Sequence, residues 1–200
     1  MRTKSISLKS QKKISNAIPV HLQHMKPNKN ICGIDPSLSS TGIVVLDSVG
    51  KLLYETSLKT KKLRGMERLK YIKDNLMKVI KDFNISEVCI ESYAYGVMQS
   101  RSKFNLGELG GVIRLALYEA DVEFIDIAPP TLKKYVTGFG NADKVMMVEA
   151  VSKRWNLDFG KESDKADAYG LAKIGVEVFL EDKDLKKIIK QMQKEKTVYL

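Results

Sequence analysis

Residues 31–47 constrain this chain more than any other stretch. They read Ile31-Cys32-Gly33-Ile34-Asp35-Pro36-Ser37-Leu38-Ser39-Ser40-Thr41-Gly42-Ile43-Val44-Val45-Leu46-Asp47. The pattern is a short buried strand, a tight polar turn and a second apolar strand. Asp35 closes the first strand, and Gly42 permits close backbone approach as the chain re-enters the sheet. A carboxylate at the end of a buried strand is costly unless it is paired or binds a cation. The plain alternative is an Asp-Pro turn with a capping carboxylate. Further acids at comparable places downstream favour the cation.

Two hundred residues suffice for one domain with a real core and short extensions. No apolar run approaches the ~20 residues that span a bilayer, and no signal-peptide pattern is present, so a cytoplasmic protein of a bacterial or phage-infected cell is expected. The net charge of +10 is unevenly spread, because residues 1–30 carry seven Lys or Arg and no acid, whereas 31–180 are close to neutral. Residues 1–30 therefore read as a basic flexible arm suited to phosphate contact, and 181–200 as a charged helical tail. A solubilising tail or a transit peptide are the alternatives for the arm. Cys32 and Cys89 read as buried apolar filler on opposite sheet faces, and no bridge between them is expected.

Strands are expected at about 31–35, 42–47 and 51–58, joined by two short links into an antiparallel meander. Helical spacing of Met66, Leu69, Ile72, Leu76, Val79, Ile80 and Phe83 predicts a helix over 65–83. Glu87-Val88-Cys89-Ile90-Glu91 is a fourth strand that again ends on a carboxylate. A polar loop with Tyr93, Tyr95, Gln99 and Arg101 leads into a helix at about 103–120 containing Gly107, Gly110 and Gly111, each costing ~1 kcal/mol relative to Ala. Those glycines suggest close packing against another helix or strand. A fifth strand, 122–127, stops at Pro129-Pro130, and a short helix from Thr131 carries Lys133 and Lys134. Further helices are expected at 142–155, with a core face of Val145, Met146, Val148, Ala150 and Val151, and at 163–180. This order makes an α/β fold, a mixed five-stranded sheet flanked by helices, as in ribonuclease H-like proteins.

Asp164 and Asp167 lie three apart near the start of the last helix and share one face. If the first and fourth strands are parallel neighbours, Asp35 and Glu91 end side by side and the helical acids complete an all-oxygen pocket. Hard divalent cations relieve the self-repulsion of such a pocket, and Mg²⁺ suits carboxylates and waters. Two ions ~3.5–4 Å apart can activate water and stabilise the leaving oxygen of a phosphodiester. The plain reading of Asp164 and Asp167 is that of helix N-terminal acids complementing the macrodipole.

Gly33-Ile34-Asp35-Pro36 with Thr41-Gly42, Ile90-Glu91, Leu106-Gly107, Gly138-Phe139-Gly140-Asn141-Ala142-Asp143-Lys144 and Asp164-Lys165-Ala166-Asp167-Ala168 together resemble the RuvC family of Holliday-junction resolvases. The resemblance covers about residues 31–178. It implies a crossover junction endodeoxyribonuclease that binds two Mg²⁺ ions, with Mn²⁺ as a substitute, through Asp35, Glu91, Asp164 and Asp167. It assigns Lys144 and Lys133 to the scissile phosphate, with Lys134 a rival for the second. It also implies an aromatic residue that stacks on a base, for which Tyr93 and Tyr95 are the candidates. Arg101, Lys103 and Lys134 complete the expected DNA contacts. The implied partners are branched DNA, above all four-way junctions, and a second copy in a homodimer, with the helix at 103–120 as the candidate interface. The basic arm, the tail and a loop one residue longer than in bacterial housekeeping members suggest a phage-type member, which leaves a broader branched-DNA nuclease open.

An actin-like or sugar-kinase ATPase also begins with a strand, an Asp and a Thr-Gly turn. Such proteins need a second phosphate loop and greater length, so no nucleotide cofactor is expected. A silent junction-binding protein would not need four acids and two lysines. A nuclease acting on RNA–DNA hybrids shares the metal chemistry, but the D-x-x-D-A helix and the lysine placement favour the resolvase.

Overall fold

The computed structural model describes residues 29–93 and 101–181, without the side chains of residues 101–103, 180 and 181. Residues 1–28 of the expected basic arm and 182–200 of the charged tail lie outside the described residues, whereas Lys29 pairs with Glu87 and Asn30 opens the first strand. Five strands form one sheet in the order β3-β2-β1-β4-β5, with β1 Asn30–Asp35, β2 Ser40–Leu46, β3 Leu52–Lys59, β4 Ile85–Glu91 and β5 Glu123–Ile127. The first three strands are antiparallel neighbours, and β4 pairs in parallel with both β1 and β5. This is the mixed ribonuclease H-like sheet that the order of apolar runs implies. Parallel pairs need crossovers, and here α1 (Gly65–Asp82) and α2 (Arg101–Glu119) supply them.

Strand alternation sends successive side chains to opposite layers. Ile31, Val44, Leu46 and Cys89 pack with α3 (Pro129–Thr137), α4 (Lys144–Trp155) and α5 (Ser163–Val176). Cys32, Ile34, Ile43, Val45, Val88 and Ile90 face α1 and α2 on the other side. The two cysteines are therefore in different layers, both free and fully buried.

Local chemistry starts and stops the helices near the site. Pro129 and Pro130 occupy the first helical positions of α3, where a missing N–H costs nothing, and Gly138 closes it at φ 88°. Asp143 caps α4 by accepting from the Met146 N–H at 2.9 Å, which makes Lys144 its first residue. Of the expected core face of α4, Val148, Ala150 and Val151 pack on the core, but Val145 and Met146 do not. Met147 and Val151 are buried, whereas Val145 is 65% and Met146 39% exposed. The run Val145-Met146-Met147-Val148 is apolar all round, so its composition does not choose the face. Beyond α5 the chain continues as a π-helical turn, Glu177–Glu181.

A candidate metal centre at the ends of two parallel strands

The register fixes the first two acids. Ile34 lies opposite Ile90 in the parallel β1–β4 pair, so Asp35 and Glu91 leave adjacent strands side by side. By alternation both point to the layer that holds α5. That helix lies unusually close to the sheet because two glycines let it. A Cβ on Gly33 would stand 2.0 Å from the Ala168 carbonyl oxygen, and one on Gly42 would stand 2.1 Å from that of Asp164. Gly42 is also the β2 partner of Asp35. The approach thus sets the first turns of α5, with Asp164 and Asp167, beside the ends of β1 and β4. Ala168 and Ala172 keep the helix slim along this contact, while Gly170 faces Leu132 and Val136 of α3.

Polar contacts outside the acids orient α5. Ser40 Oγ donates to Asp164 Oδ2 at 2.7 Å. Lys165 pairs with Glu162 at 2.7 Å and with Glu55 at 3.3 Å, while Lys59 reaches Glu162 at 2.8 Å. This network ties the helix start to edge strand β3. Hydrogen bonds from Lys165 and Lys59 hold the Glu162 carboxyl down at about 2. Ser40, Glu55 and Lys165 carry no sequence signal of their own, because their roles depend on which strand edge α5 crosses.

The four acids sense one another. Burial first, then the charge of Glu91 and a hydrogen bond with it, and then the charge of Asp164, push Asp35 well above the usual carboxylate range, against a counter-effect of Lys144. Burial and the nearby Asp167 raise Glu91, opposed by its bond with Asp35 and by Lys133. The Asp35–Glu91 pair thus holds a proton that isolated carboxyls would have released. Burial and Asp35 push Asp167 up to about 7, with Lys144 and Lys133 opposing. Both lysines therefore face the acids, from the start of α4 and from α3. Lys133 is half-buried, whereas Lys134 is exposed.

Among the described residues no three acids form a closed metal cage. The donor set nevertheless suits a hard divalent cation. It is all oxygen and half-buried, and burial and mutual repulsion hold the Asp35, Glu91 and Asp167 carboxyls above the normal range. Mg²⁺ keeps several waters and asks for only one or two carboxylates, so a closed cage is not required.

The tyrosines separate. Tyr93 is half-buried against α2, where the Arg114 guanidinium sits 5.3 Å from its ring centre. Arg114 in turn pairs with Asp126 of β5. The Tyr93 hydroxyl lies over Gly110, where a Cβ would come within 2.2 Å of it. Tyr93 is thus engaged within the protein. Tyr95 lies outside the described residues, as do the side chains of Arg101 and Lys103 at the start of α2. Among the described residues only Gly110 of the three α2 glycines meets another group, and Gly107 and Gly111 face open space, so the expected close packing against another helix or strand is found at Gly110 alone.

A ribonuclease H-like sheet with acids at the ends of two parallel central strands defines a nuclease of the metal-dependent class. The family model for crossover junction endodeoxyribonuclease RuvC matches residues 31–174, and the chain belongs to that family. It is 30% identical over 147 residues to the RuvC of Thermotoga maritima, covering 71% of this chain and 87% of that one. The fold is shared with Thermus thermophilus RuvC solved in complex with a Holliday junction substrate, with a TM-score of 0.61, 24% identity, and coverage of 72% of this chain and 90% of that one. It is also shared with the yeast mitochondrial Holliday junction resolvase, with a TM-score of 0.54, 13% identity, and coverage of 96% and 90%.

Proposed function

We propose that this chain is a Mg²⁺-dependent endonuclease that resolves four-way DNA junctions by paired nicks. The observation that carries the reading is the convergence of Asp35, Glu91, Asp164 and Asp167 at one end of the sheet, with Lys133 and Lys144 bearing on them. In this reading the four acids hold two Mg²⁺ ions, for which Mn²⁺ can substitute. Bound there, the ions supply a Lewis acid for the phosphodiester and a nucleophile at neutral pH.

The protein's own groups do the rest. Ser40 fixes the orientation of Asp164. Lys144 and Lys133 offer positive charge where a phosphate gains negative charge during substitution. The hydrophobic layers beneath Asp35 and Glu91 keep bulk water from the buried side of the pocket. Lys134, exposed one position along α3, suits a backbone phosphate better than the reacting one. Because Tyr93 is engaged with Arg114, Tyr95 is the better candidate for stacking on a base. Junction cutting on opposed strands calls for two sites, hence a two-fold dimer. The outer face of α2 suits the interface, since Phe104 is 59%, Leu115 57% and Tyr118 76% exposed there, and Gly107 and Gly111 leave room for a second backbone.

The test uses sequence-matched four-way, three-way, flap, duplex and RNA–DNA hybrid substrates in Mg²⁺, with wild type and Asp35→Asn. Symmetric paired nicks on the four-way junction, lost in Asp35→Asn, are expected. Equal cutting of flaps and three-way junctions would make the enzyme a general debranching nuclease. Binding of the junction with no cutting in Mg²⁺ or Mn²⁺ would sink the enzyme assignment.

A further inference from the structure

On the opposite side of the Asp35 turn from α5 lies an open groove of about 450 Å³, bordered by Ser37, Ser39, Thr60, Lys61, Arg64 and Arg68. It continues past Leu38 and Arg68 into a second hollow of about 250 Å³ beside the first turns of α2. The groove begins two residues beyond Asp35, so one turn forms both its wall and the rim of the acidic pocket. We propose that this groove is a binding site for the phosphodiester backbone of a DNA arm flanking the cut, an inference that rests on the nuclease reading above.

Its construction separates it from an ordinary solvated cationic surface. The segment that carries the cations is fastened to the serine turn. The Thr60 N–H donates to the Ser39 carbonyl at 3.1 Å, and the Thr60 hydroxyl, buried, donates to the Leu38 carbonyl. The arginines then brace the segment from within. Arg68 donates to the Leu63 carbonyl from Nε at 2.9 Å and from a terminal nitrogen at 2.6 Å. Arg64 bonds the Leu63 and Lys61 carbonyls at 2.9 and 3.1 Å. Long cationic side chains ordinarily lose much rotamer freedom on binding an anion, and here part of that cost is met in advance.

The groove itself holds no carboxylate, and Glu108 stands in the adjoining hollow. Among the described residues no carboxylate pairs with Lys61, Arg64 or Arg68, and what sets them apart from other unpaired cations is that they gather in one groove. A rigid concave cluster of unpaired cations beside serine hydroxyls calls for an external anion of matching shape. A phosphodiester fits, because guanidinium N–H forks and hydroxyls are its usual partners. The groove would read no sequence. It would set the register of the backbone that enters the acidic pocket.

The decisive measurement is binding of a labelled four-way junction in EDTA across a series of NaCl concentrations. The variants are Lys61→Ala/Arg64→Ala, Lys61→Glu, and, as a comparison, Lys70→Ala/Lys73→Ala on α1. Each lost phosphate contact should flatten the slope of log K against log [salt] by about one. The groove double variant should therefore lose about two, with a tenfold or greater fall in affinity near 0.1 M salt. Its single-turnover cleavage in Mg²⁺ at subsaturating protein should fall in step with the affinity, and the α1 variant should keep the wild-type slope. Lys61→Glu alters a side chain that braces nothing, so a fall in affinity there supports the site even if the double variant melts early. Wild-type slopes and affinities in both groove variants would overturn the proposal. A wild type that neither binds nor cuts the junction would instead overturn the nuclease reading on which it stands.

Discussion

If Asp167 holds a metal as proposed, it trades stability for that site. Its carboxyl titrates at about 7 in the fold, against 3.8 when unperturbed. Between those values the unfolded chain has released a proton that the folded chain keeps, so stability falls as pH rises through the window and levels off above about 7. Asp35 and Glu91 are raised in the same direction and steepen the fall. Each group contributes at most about 1.4 kcal/mol per pH unit. A cation held as proposed would bind the deprotonated acids and reverse the loss. Thermal melts in EDTA from pH 4.5 to 8.5 should show a declining melting temperature, and the gain from 10 mM Mg²⁺ should be larger at pH 8 than at pH 5. Asp167→Asn should flatten the EDTA profile, raise stability at pH 8 and abolish much of the Mg²⁺ gain. A profile that rises through this window would contradict the assignment. The acids stood out in the sequence because Asp35 and Glu91 end strands and Asp164 and Asp167 share one face near the start of a helix. Their partners were not: Ser40 and Lys165 matter through contacts 124 and 110 residues away in the chain, and nothing local marks such pairs. Tyr93 looked as available as Tyr95 for the same reason, since the ring's engagement with Arg114 depends on how α2 crosses the sheet.

At the scale of elements, the fold was readable where hydrophobic period and punctuation agreed. Every strand of the sheet was found, because buried runs bounded by turns leave few alternatives, and the parallel β1–β4 pairing that the ribonuclease H-like order implied is present. Strand alternation even placed the two cysteines in opposite layers. Helix faces were less legible where apolar residues run consecutively, as in α4, and where glycine leaves no mark of what it meets, as in α2. Gly42 was flagged for close approach, and the structure supplies the neighbour: the backbone of α5 at Asp164. A methyl group there cannot be absorbed by a side-chain rotation, because the atom it meets is a carbonyl oxygen within a helix. Gly42→Ala should force α5 outward, costing about 2–3 kcal/mol of stability, or roughly 5–10 °C in melting temperature for a domain of this size. Displacing Asp164 and Asp167 by even about 1 Å should lower single-turnover cleavage roughly 10²-fold. A variant that melts early yet cleaves at the wild-type rate when folded would show that the close approach serves packing alone.

In the molecule as a whole, α2 joins the site to the outer surface. Its inner face, Leu109, Ile113 and Leu117, is fully buried against the sheet. Its edge carries Arg114, which holds Tyr93, two residues beyond Glu91. Its outer stripe presents Phe104, Gly107, Gly111, Leu115 and Tyr118 at helical spacing, and the three large apolar side chains in it are more than half exposed. Two glycines facing open space each cost a helix about 1 kcal/mol, which a solvated face has no reason to bear. The same stripe on a second copy would cover the apolar rings and let the backbones approach across a two-fold axis. Assembly would then meet the catalytic strand through one rigid helix, so that each site stands at a fixed distance from its twin. Leu115→Glu sets two carboxylates against each other near that axis and should weaken the dimer about a hundredfold, some 2.7 kcal/mol, as sedimentation would measure. The monomer should keep its Mg²⁺-dependent thermal gain, because the four acids belong to one chain, while paired nicks give way to single uncoordinated ones. Paired cutting by a monomeric Leu115→Glu protein would place the interface, or the need for one, elsewhere.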